Sequence, residues 1–502
     1  MTFRGLMAAV ESGSGSAELY DDLARAALDE GEEEAALGKL LPAAERSGLA
    51  LLWQWAGLLQ RSIDEHEAAI ASLTRAAGLA PADALIAHAA ARVALEAGVD
   101  AVDLFLRARV LAPSDGEVAL GLAAARNAIG DGISAADELD AFLRRAPAWT
   151  TGHEQLAQLR SLIGQRSRAT ESLERALGQF SRQEGLWGAL FGIDIRAEDF
   201  EALERDVKRA EAAGIRPRFL ALYRAIAAAE LDDSVFPEAL FNAPPEFEDQ
   251  LSVWRIRHLL RAGAVDEACV LIDHELASVR ASSVWPYAAM AWRLREDARS
   301  DWLEGDPRFV RRFDLTAVLP HLDILADTLR KLHIARGEYV DQSVRGGTQT
   351  DGPLLSRIDP VIRQLRQAIV CAVETFIADL PALDSRHPLL SQRRDRRVRF
   401  AGSWSVRLRS GGRHTNHIHP QGWISSALYV ALPERRADES EGAGWLTIGQ
   451  PQDQLDLNLD PRSRIEPRAG HLVLFPSWMW HGTVPFAGGE RLTVAFDVRP
   501  PI

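Results

Sequence analysis

The feature that most constrains this chain is a spacing. Prolines at 81, 113 and 147 close the related segments TRAAGLAPAD, LRARVLAPSDG and LRRAPAWT at intervals of 32 and 34 residues, and Ser181 in ERALGQFSRQ falls another 34 on. A fixed interval of this size means that one small supersecondary unit is stacked on copies of itself. From about residue 17 to about residue 303 the sequence is rich in Ala, Leu, Glu and Arg, with apolar residues at helical spacing and few β-branched runs, so the unit is helical. Proline suits the junctions because it stops one helix and opens the next. Alanine suits the inner positions because stacked helix pairs leave no room for larger side chains.

A period near 34 with a proline turn after each small-residue-rich helix is that of tetratricopeptide helix hairpins. The repeats degrade after about residue 185, yet the helical period continues through LSVWRIRHLLRAGAVDEACVLIDHELA and WPYAAMAWRLRE, which read as divergent repeats. Such an array presents a concave surface for a peptide or another protein, so a protein or peptide partner is expected there. It carries no chemistry of its own.

The helical pattern breaks at DWLEGDPRFVRRFDL, where Gly305, Asp306 and Pro307 fall together. Two further helices are expected at about 319 to 336 and 358 to 380, separated by the polar segment QSVRGGTQTDG, which suits either a lid over a site or an interdomain connection. The stretch RRDRRVRF reads as a solvated helix end and strand start, with a site for an anionic partner as the alternative. Beyond Arg399 come SWSVRLRS, ISSALYVAL, GWLTIG, QLDLNLD, HLVLFPSW, GTVPF and RLTVAFDV, short alternating or β-branched runs that indicate a β-sandwich or jelly roll. The expected architecture is therefore multidomain α plus β. Residues 1–305 form an all-α, tetratricopeptide-like solenoid, 306–395 a helical linker with the first helices of the next domain, and 396–502 a β core.

At 502 residues the chain is too long for one ordinary core, in keeping with this division. A net charge of −14 lacks the electrostatic footprint for phosphate backbones, so nucleic acid is not an expected partner. No apolar run reaches membrane-spanning length, and no membrane partner is expected. The two cysteines, Cys269 and Cys371, lie far apart in helix-like sequence and read as buried small hydrophobes. With an N-terminus that makes an unconvincing signal peptide, a reducing cytoplasm is the expected compartment.

Three of the chain's 13 histidines lie in HTNHIHP, at 414, 417 and 419, and His481 closes FPSWMWHG. On a strand, His417 and His419 share a face while His414 points away, and His481 joins them from a distant strand. Two or three neutral imidazoles suit Fe(II), Zn(II) or Cu(II), and an open position on such a centre is what oxygen chemistry requires. Ten residues on, Arg491 opens the strand RLTVAFDV with Thr493 on the same face. A guanidinium projecting into a barrel needs an anion, and a bidentate carboxylate such as the far end of 2-oxoglutarate meets that need. Tyr429, on ISSALYV, is placed to donate a hydroxyl to the same carboxylate.

The runs HIHPQGWISSALYV, AGHLVLFPSWMWHGTVPF, ERLTVAFDV and, upstream, QSVRGGTQTDG together resemble the 2-oxoglutarate and Fe(II)-dependent oxygenases that often carry tetratricopeptide repeats. The resemblance spans most of residues 310 to 500. It implies a double-stranded β-helix, Fe(II) and 2-oxoglutarate with O2, and hydroxylation of a substrate with release of succinate and CO2. His417 and His481 take the places of the first and last metal-binding histidines, and Arg491 that of the carboxylate anchor. Where the wider superfamily has a carboxylate two residues after its first histidine, this chain has His419. With that neutral third ligand the centre is one unit more positive. Two rival readings remain open. One is a silent barrel in a pure interaction scaffold; the other is a three-histidine dioxygenase that needs no cosubstrate, with Arg491 binding the substrate's own carboxylate.

Overall fold

The computed structural model describes residues 1–13, 15–337, 343–436 and 439–501. Helices that open at Ala17, Ala50, Ala84, Gly116, Thr150, Glu184, Pro217, Glu248 and Ala281 follow one another every 31 to 34 residues, so the period runs on to Leu294. In the better-formed repeats each packs against the helix that follows it, as Ala50–Ser62 does against His66–Leu79. Ala56, Ala69, Ala91, Ala108 and Ala135 are fully buried at these contacts, which is why the array is rich in alanine. A second marker shares the period. The turn inside each early hairpin holds a left-handed residue, at Gly31, Asp64, Gly98, Gly130, Gly164 and Glu198.

Among the described residues nine strands follow: β1 (Arg311–Asp314), β2 (Val344–Gln349), β3 (Phe400–His414), β4 (Ile424–Ala431), β5 (Leu446–Ile448), β6 (Ser463–Ile465), β7 (His471–Pro476), β8 (His481–Thr483) and β9 (Arg491–Val498). They form an antiparallel six-stranded sheet in the order β1-β7-β4-β9-β3-β2 and a three-stranded sheet in the order β6-β5-β8. Beyond β4 the chain passes back and forth between the two. The two expected helices are present as Leu322–Leu332 and Pro360–Ala378, and the second buries Ile362, Leu365, Ile369, Val373 and Phe376 as one stripe.

Four expectations change. Residues 306–395, read as helical, also supply β1 and β2, so the large sheet begins well before residue 396. QSVRGGTQTDG is neither lid nor linker over its length: Val344 to Gln349 pair with β3 as an edge strand, while Gln342 lies outside the described residues. QLDLNLD, read as a strand, only overlaps the end of the short turn Asp453–Leu455, and the residue after that turn, Asp456, is left-handed. Cys269 is buried as expected, but Cys371 is exposed on its helix.

RRDRRVRF is only partly solvated: Arg393, Asp395 and Arg397 are exposed, while its other arginines are half-buried. Arg399 grips the buried Glu33 with two hydrogen bonds of 2.6 and 2.5 Å, Arg396 pairs with Glu32 at 2.7 Å, and Arg397 pairs with Glu65. The contact continues along the hairpin turns of the array. Arg366 donates to the Asp64 carbonyl, Ile358 N–H to Ala97, Arg336 and Gly337 N–H to Leu162, Gln454 to Glu198, and the Trp480 indole to Pro286. One edge of the solenoid is thus fastened to the β domain at successive repeats. The last repeats share a single apolar core with the barrel, in which Trp292 and Leu303 join Phe475 and Val494.

Candidate metal centre

β3 ends at His414, the chain turns through Thr415 and Asn416, and His417 then forms an isolated antiparallel bridge with His481, with N–H to carbonyl distances of 2.9 and 3.0 Å. That bridge sets the two imidazoles side by side, 4.2 Å between centroids. His419 is held by its N–H on the Ser477 carbonyl, and its ring lies 5.0 Å from each of the other two. The close approach depends on Gly482, where a Cβ would stand 2.1 Å from the Asn416 side-chain oxygen. One ring nitrogen from each of His417, His419 and His481 lies within 4.8 Å of the others, so the three predicted ligands do converge.

Their protons are assigned by their neighbours. The Nδ1–H of His417 donates to the Thr415 carbonyl at 2.8 Å and that of His481 to Met479 at 3.0 Å. His419 Nδ1 stands 2.7 Å from the carboxylate of Asp497, which also accepts from the Ser425 hydroxyl at 2.5 Å. With each Nδ1 so engaged, the Nε2 lone pairs are left for an ion. Burial, reinforced by the neighbouring histidines, holds His417 and His481 well below the ordinary imidazole pKa, so both are neutral near pH 7 and ready to ligate. Ser343 Oγ is 3.2 Å from His417 Nε2 and 3.1 Å from His414 Nδ1.

His414, read as facing away, lines the same cavity and stacks on His417 at 5.8 Å. Strand alternation fails for it because the turn at Thr415 and Asn416 interrupts the strand. Burial, then Arg491, pushes its pKa down to about 3, so it is neutral as well.

The cavity in front of the histidines holds about 340 Å³ and is walled by residues of both sheets, among them Leu446, Thr483, Ser426, Arg491 and Thr493. Arg491 is 3% exposed, and among the described residues no carboxylate pairs with it. One of its terminal nitrogens donates to the Gly444 carbonyl at 2.8 Å, its Nε has no partner, and its guanidinium sits 5.1 Å above the ring of Tyr429. Tyr429 is fully buried beneath it and its hydroxyl is also without a partner. Thr493, opposite Tyr429 in the β4–β9 register, spends its hydroxyl on Val406 at 3.5 Å. A buried cation with an unused donor on the wall of a cavity lined by imidazoles fits a chelating dicarboxylate that reaches from the histidines to Arg491, whereas Tyr429, beneath that guanidinium, is not among the residues lining the cavity.

Asp497, Ser343, Gln349 and Trp404 escape sequence reasoning. Asp497 had a signal. In RLTVAFDV the residues Arg491, Thr493, Ala495 and Asp497 alternate with Leu492, Val494, Phe496 and Val498, so the whole polar face of β9 turns toward the site. Trp404, 5.5 Å from His419, and Gln349 come from the neighbouring strands β3 and β2, with no local motif to mark them.

Residues 402–497 match the family model described as "Putative 2OG-Fe(II) oxygenase". No curated protein matches the chain. Similar solved structures include a MamA from Desulfovibrio magneticus RS-1 (16% identity over 32% of this chain and 93% of that one, TM-score 0.29). Others are a tetratricopeptide repeat protein from Parabacteroides merdae (16%, 44% and 89%, TM-score 0.32) and a prolyl-4-hydroxylase from Pseudomonas putida (18%, 38% and 92%, TM-score 0.27).

Proposed function

We propose that this chain, whose C-terminal domain belongs to the 2OG-Fe(II) oxygenase family, is an Fe(II)- and 2-oxoglutarate-dependent oxygenase that hydroxylates a protein or peptide and releases succinate and CO2. The observation that carries the reading is one cavity holding both halves of the requirement: three convergent imidazoles and, on its wall, a buried guanidinium with no carboxylate partner among the described residues. The alternation of strands between two sheets supports a double-stranded β-helix.

His417, His419 and His481 would hold the iron, and Arg491, supported from beneath by the Tyr429 ring, the far carboxylate of 2-oxoglutarate, with Thr493 walling the same end. When bound, iron and cosubstrate supply the oxidising equivalents that place one atom of O2 into a C–H bond. The protein's own part is positioning. The paired bridge of His417 and His481 fixes two ligands through backbone, and Asp497 and Ser425 fix the third through its Nδ1. Asp497 also sets a negative charge directly behind the ligand that stands where the wider superfamily has a carboxylate, compensating for the extra positive charge of an all-imidazole centre. Leu446, Ile418 and Trp404 keep the walls apolar and limit water at the reacting face.

A silent scaffold is disfavoured, since a buried unpaired guanidinium costs stability and a barrel that binds nothing has no reason to retain it. Succinate formation from 2-oxoglutarate under air, with Fe(II) and ascorbate, tests the proposal. Turnover is expected in the full chain and is expected to vanish in His481→Ala. Absence of turnover together with absence of 2-oxoglutarate binding overturns it, and consumption of O2 without succinate favours the cosubstrate-free dioxygenase.

A further inference from the structure

The largest cavity among those described lies outside the histidine cavity, at the seam where the last repeats meet the barrel. It holds about 700 Å³, within the range of ligand sites, and five tryptophans line it: Trp285, Trp292 and Trp302 from the array, Trp423 and Trp478 from the β domain. The aromatic belt is continuous. Trp285, Trp292 and Trp302 cluster with centroids 6.1 to 6.5 Å apart, Trp302 lies 4.9 Å from His387, and His387 lies 5.9 Å from Trp478. These rings are fixed before any ligand arrives. The Trp302 indole donates to Asp384 at 3.0 Å, that of Trp423 to the Leu389 carbonyl at 3.1 Å, and Arg299 stacks on Trp292 at 4.5 Å. His419 belongs to the wall of this cavity and to the wall of the histidine cavity alike, so whatever fills the seam lies against a residue of the metal centre.

We infer that this seam is the substrate site, and that it takes an extended peptide segment carrying an acidic side chain. The inference rests on the oxygenase reading above and gives its substrate a place. Among the described residues the only charges on the wall are guanidinium groups, Arg299 and Arg386. Arg299 is tied to Asp273 and Asp297 at 2.7 Å each. Arg386 is not so held: its side chain is 83% exposed at the rim, its one ion-pair partner among the described residues is Asp384 at 3.5 Å, and that carboxylate is shared with the Trp302 indole. Arg386 therefore offers a guanidinium fork to an incoming carboxylate. The half-buried indoles of Trp285 and Trp302, backed by the buried Trp292, Trp423 and Trp478 and interspersed with the hydroxyl and amide groups of Ser282, Ser391 and Gln392, suit a chain whose apolar and polar groups alternate, as those of an extended peptide do. Because the array supplies three of the five indoles, its last repeats are part of the site itself.

The test uses the full chain without metal, so that binding is read apart from turnover. Tryptophan fluorescence is titrated with a short peptide alternating glutamate with leucine and proline, with its lysine counterpart, and with a linear oligosaccharide of glucose. The glutamate peptide is expected to change the emission saturably and to bind at least about tenfold more tightly than the lysine peptide. Arg386→Glu, an exposed change that leaves the fold intact, is expected to erase that preference. Trp285→Ala is expected to reduce the signal, whereas His417→Ala keeps it. Equal binding of both peptides, binding of the oligosaccharide alone, or no binding at all overturns the assignment. Peptide binding without succinate formation by the wild type leaves the seam standing and sinks the oxygenase reading. Succinate formation without peptide binding does the reverse.

Discussion

Replacing Arg491 by leucine separates what the guanidinium does for function from what it does for the fold. Two charge-assisted hydrogen bonds to a carboxylate, each contributing about 1.5–3 kcal/mol, make the loss of 2-oxoglutarate affinity at least about 3 kcal/mol, or more than about a hundredfold in Kd. The empty protein should react differently. Arg491 there is 3% exposed, makes one hydrogen bond of 2.8 Å to Gly444, stacks at 5.1 Å on Tyr429, and has no anion among the described residues. The lost hydrogen bond contributes about 1 kcal/mol and the lost cation–π contact about 1–2 kcal/mol. Removing a lone buried charge recovers a comparable amount, so the net change is within about 1 kcal/mol of zero. Calorimetric titration of 2-oxoglutarate into the Mn(II)-loaded protein reads the first quantity, and denaturant unfolding of the metal-free protein reads the second. At a hundredfold excess of 2-oxoglutarate over Kd the wild type should gain about 2.7 kcal/mol and the variant almost nothing. Unchanged affinity, or a loss of several kcal/mol in the empty protein, would show that Arg491 is a structural cation and not an anion receptor.

Four further outcomes follow from the same geometry. Gly482→Ala places a methyl group 2.1 Å from the Asn416 side-chain oxygen and 3.1 Å from the His414 carbonyl, so Asn416 must turn away and Co(II) binding by equilibrium dialysis should weaken modestly without unfolding the array. Asp497→Asn keeps the shape but removes the charge behind His419, and metal affinity should drop about 10- to 100-fold. Arg399→Ala strands the buried Glu33 carboxylate and should cost about 3–5 kcal/mol in unfolding, with much of the loss recovered in the Arg399→Leu/Glu33→Leu pair. Burial, then Arg407, depresses His333 to about 4 from the ordinary 6.5, so the unfolded chain alone takes up this proton between those values. Stability from this group is present above pH 6.5 and is lost by up to about 3 kcal/mol as pH falls toward 4, and His333→Gln should flatten that part of the unfolding profile.

What could be read from the sequence divides by distance along the chain. The array was legible because a repeat states its own geometry many times over, and the divergent segments after residue 185 keep the period in helices that open at Pro217, Glu248 and Ala281. β1 and β2 were not legible. RRFD has no apolar alternation, and it becomes a strand only because Arg311 to Asp314 meet Leu474 to His471 across the fold. The basic run was visible as charge but not as a clamp, since its acidic partner Glu33 lies 366 residues away from Arg399. The seam was illegible for the same reason, because its tryptophans belong to two domains.

The site itself shows how one strand can carry most of a function. Arg491 and Asp497 stand at opposite ends of one face of β9, the first beside the far wall of the cavity and the second behind His419. Side chains alternate across a strand, so a slip of one residue in the pairing of β9 with β3 and β4 would exchange this polar face for Leu492, Val494, Phe496 and Val498. The apolar set is buried in the shared core. The core packing that stabilises the sheet therefore also fixes the register that points the guanidinium and the carboxylate at the histidines. A core substitution such as Phe496→Ala should accordingly weaken metal binding and 2-oxoglutarate binding together, although Phe496 touches neither group.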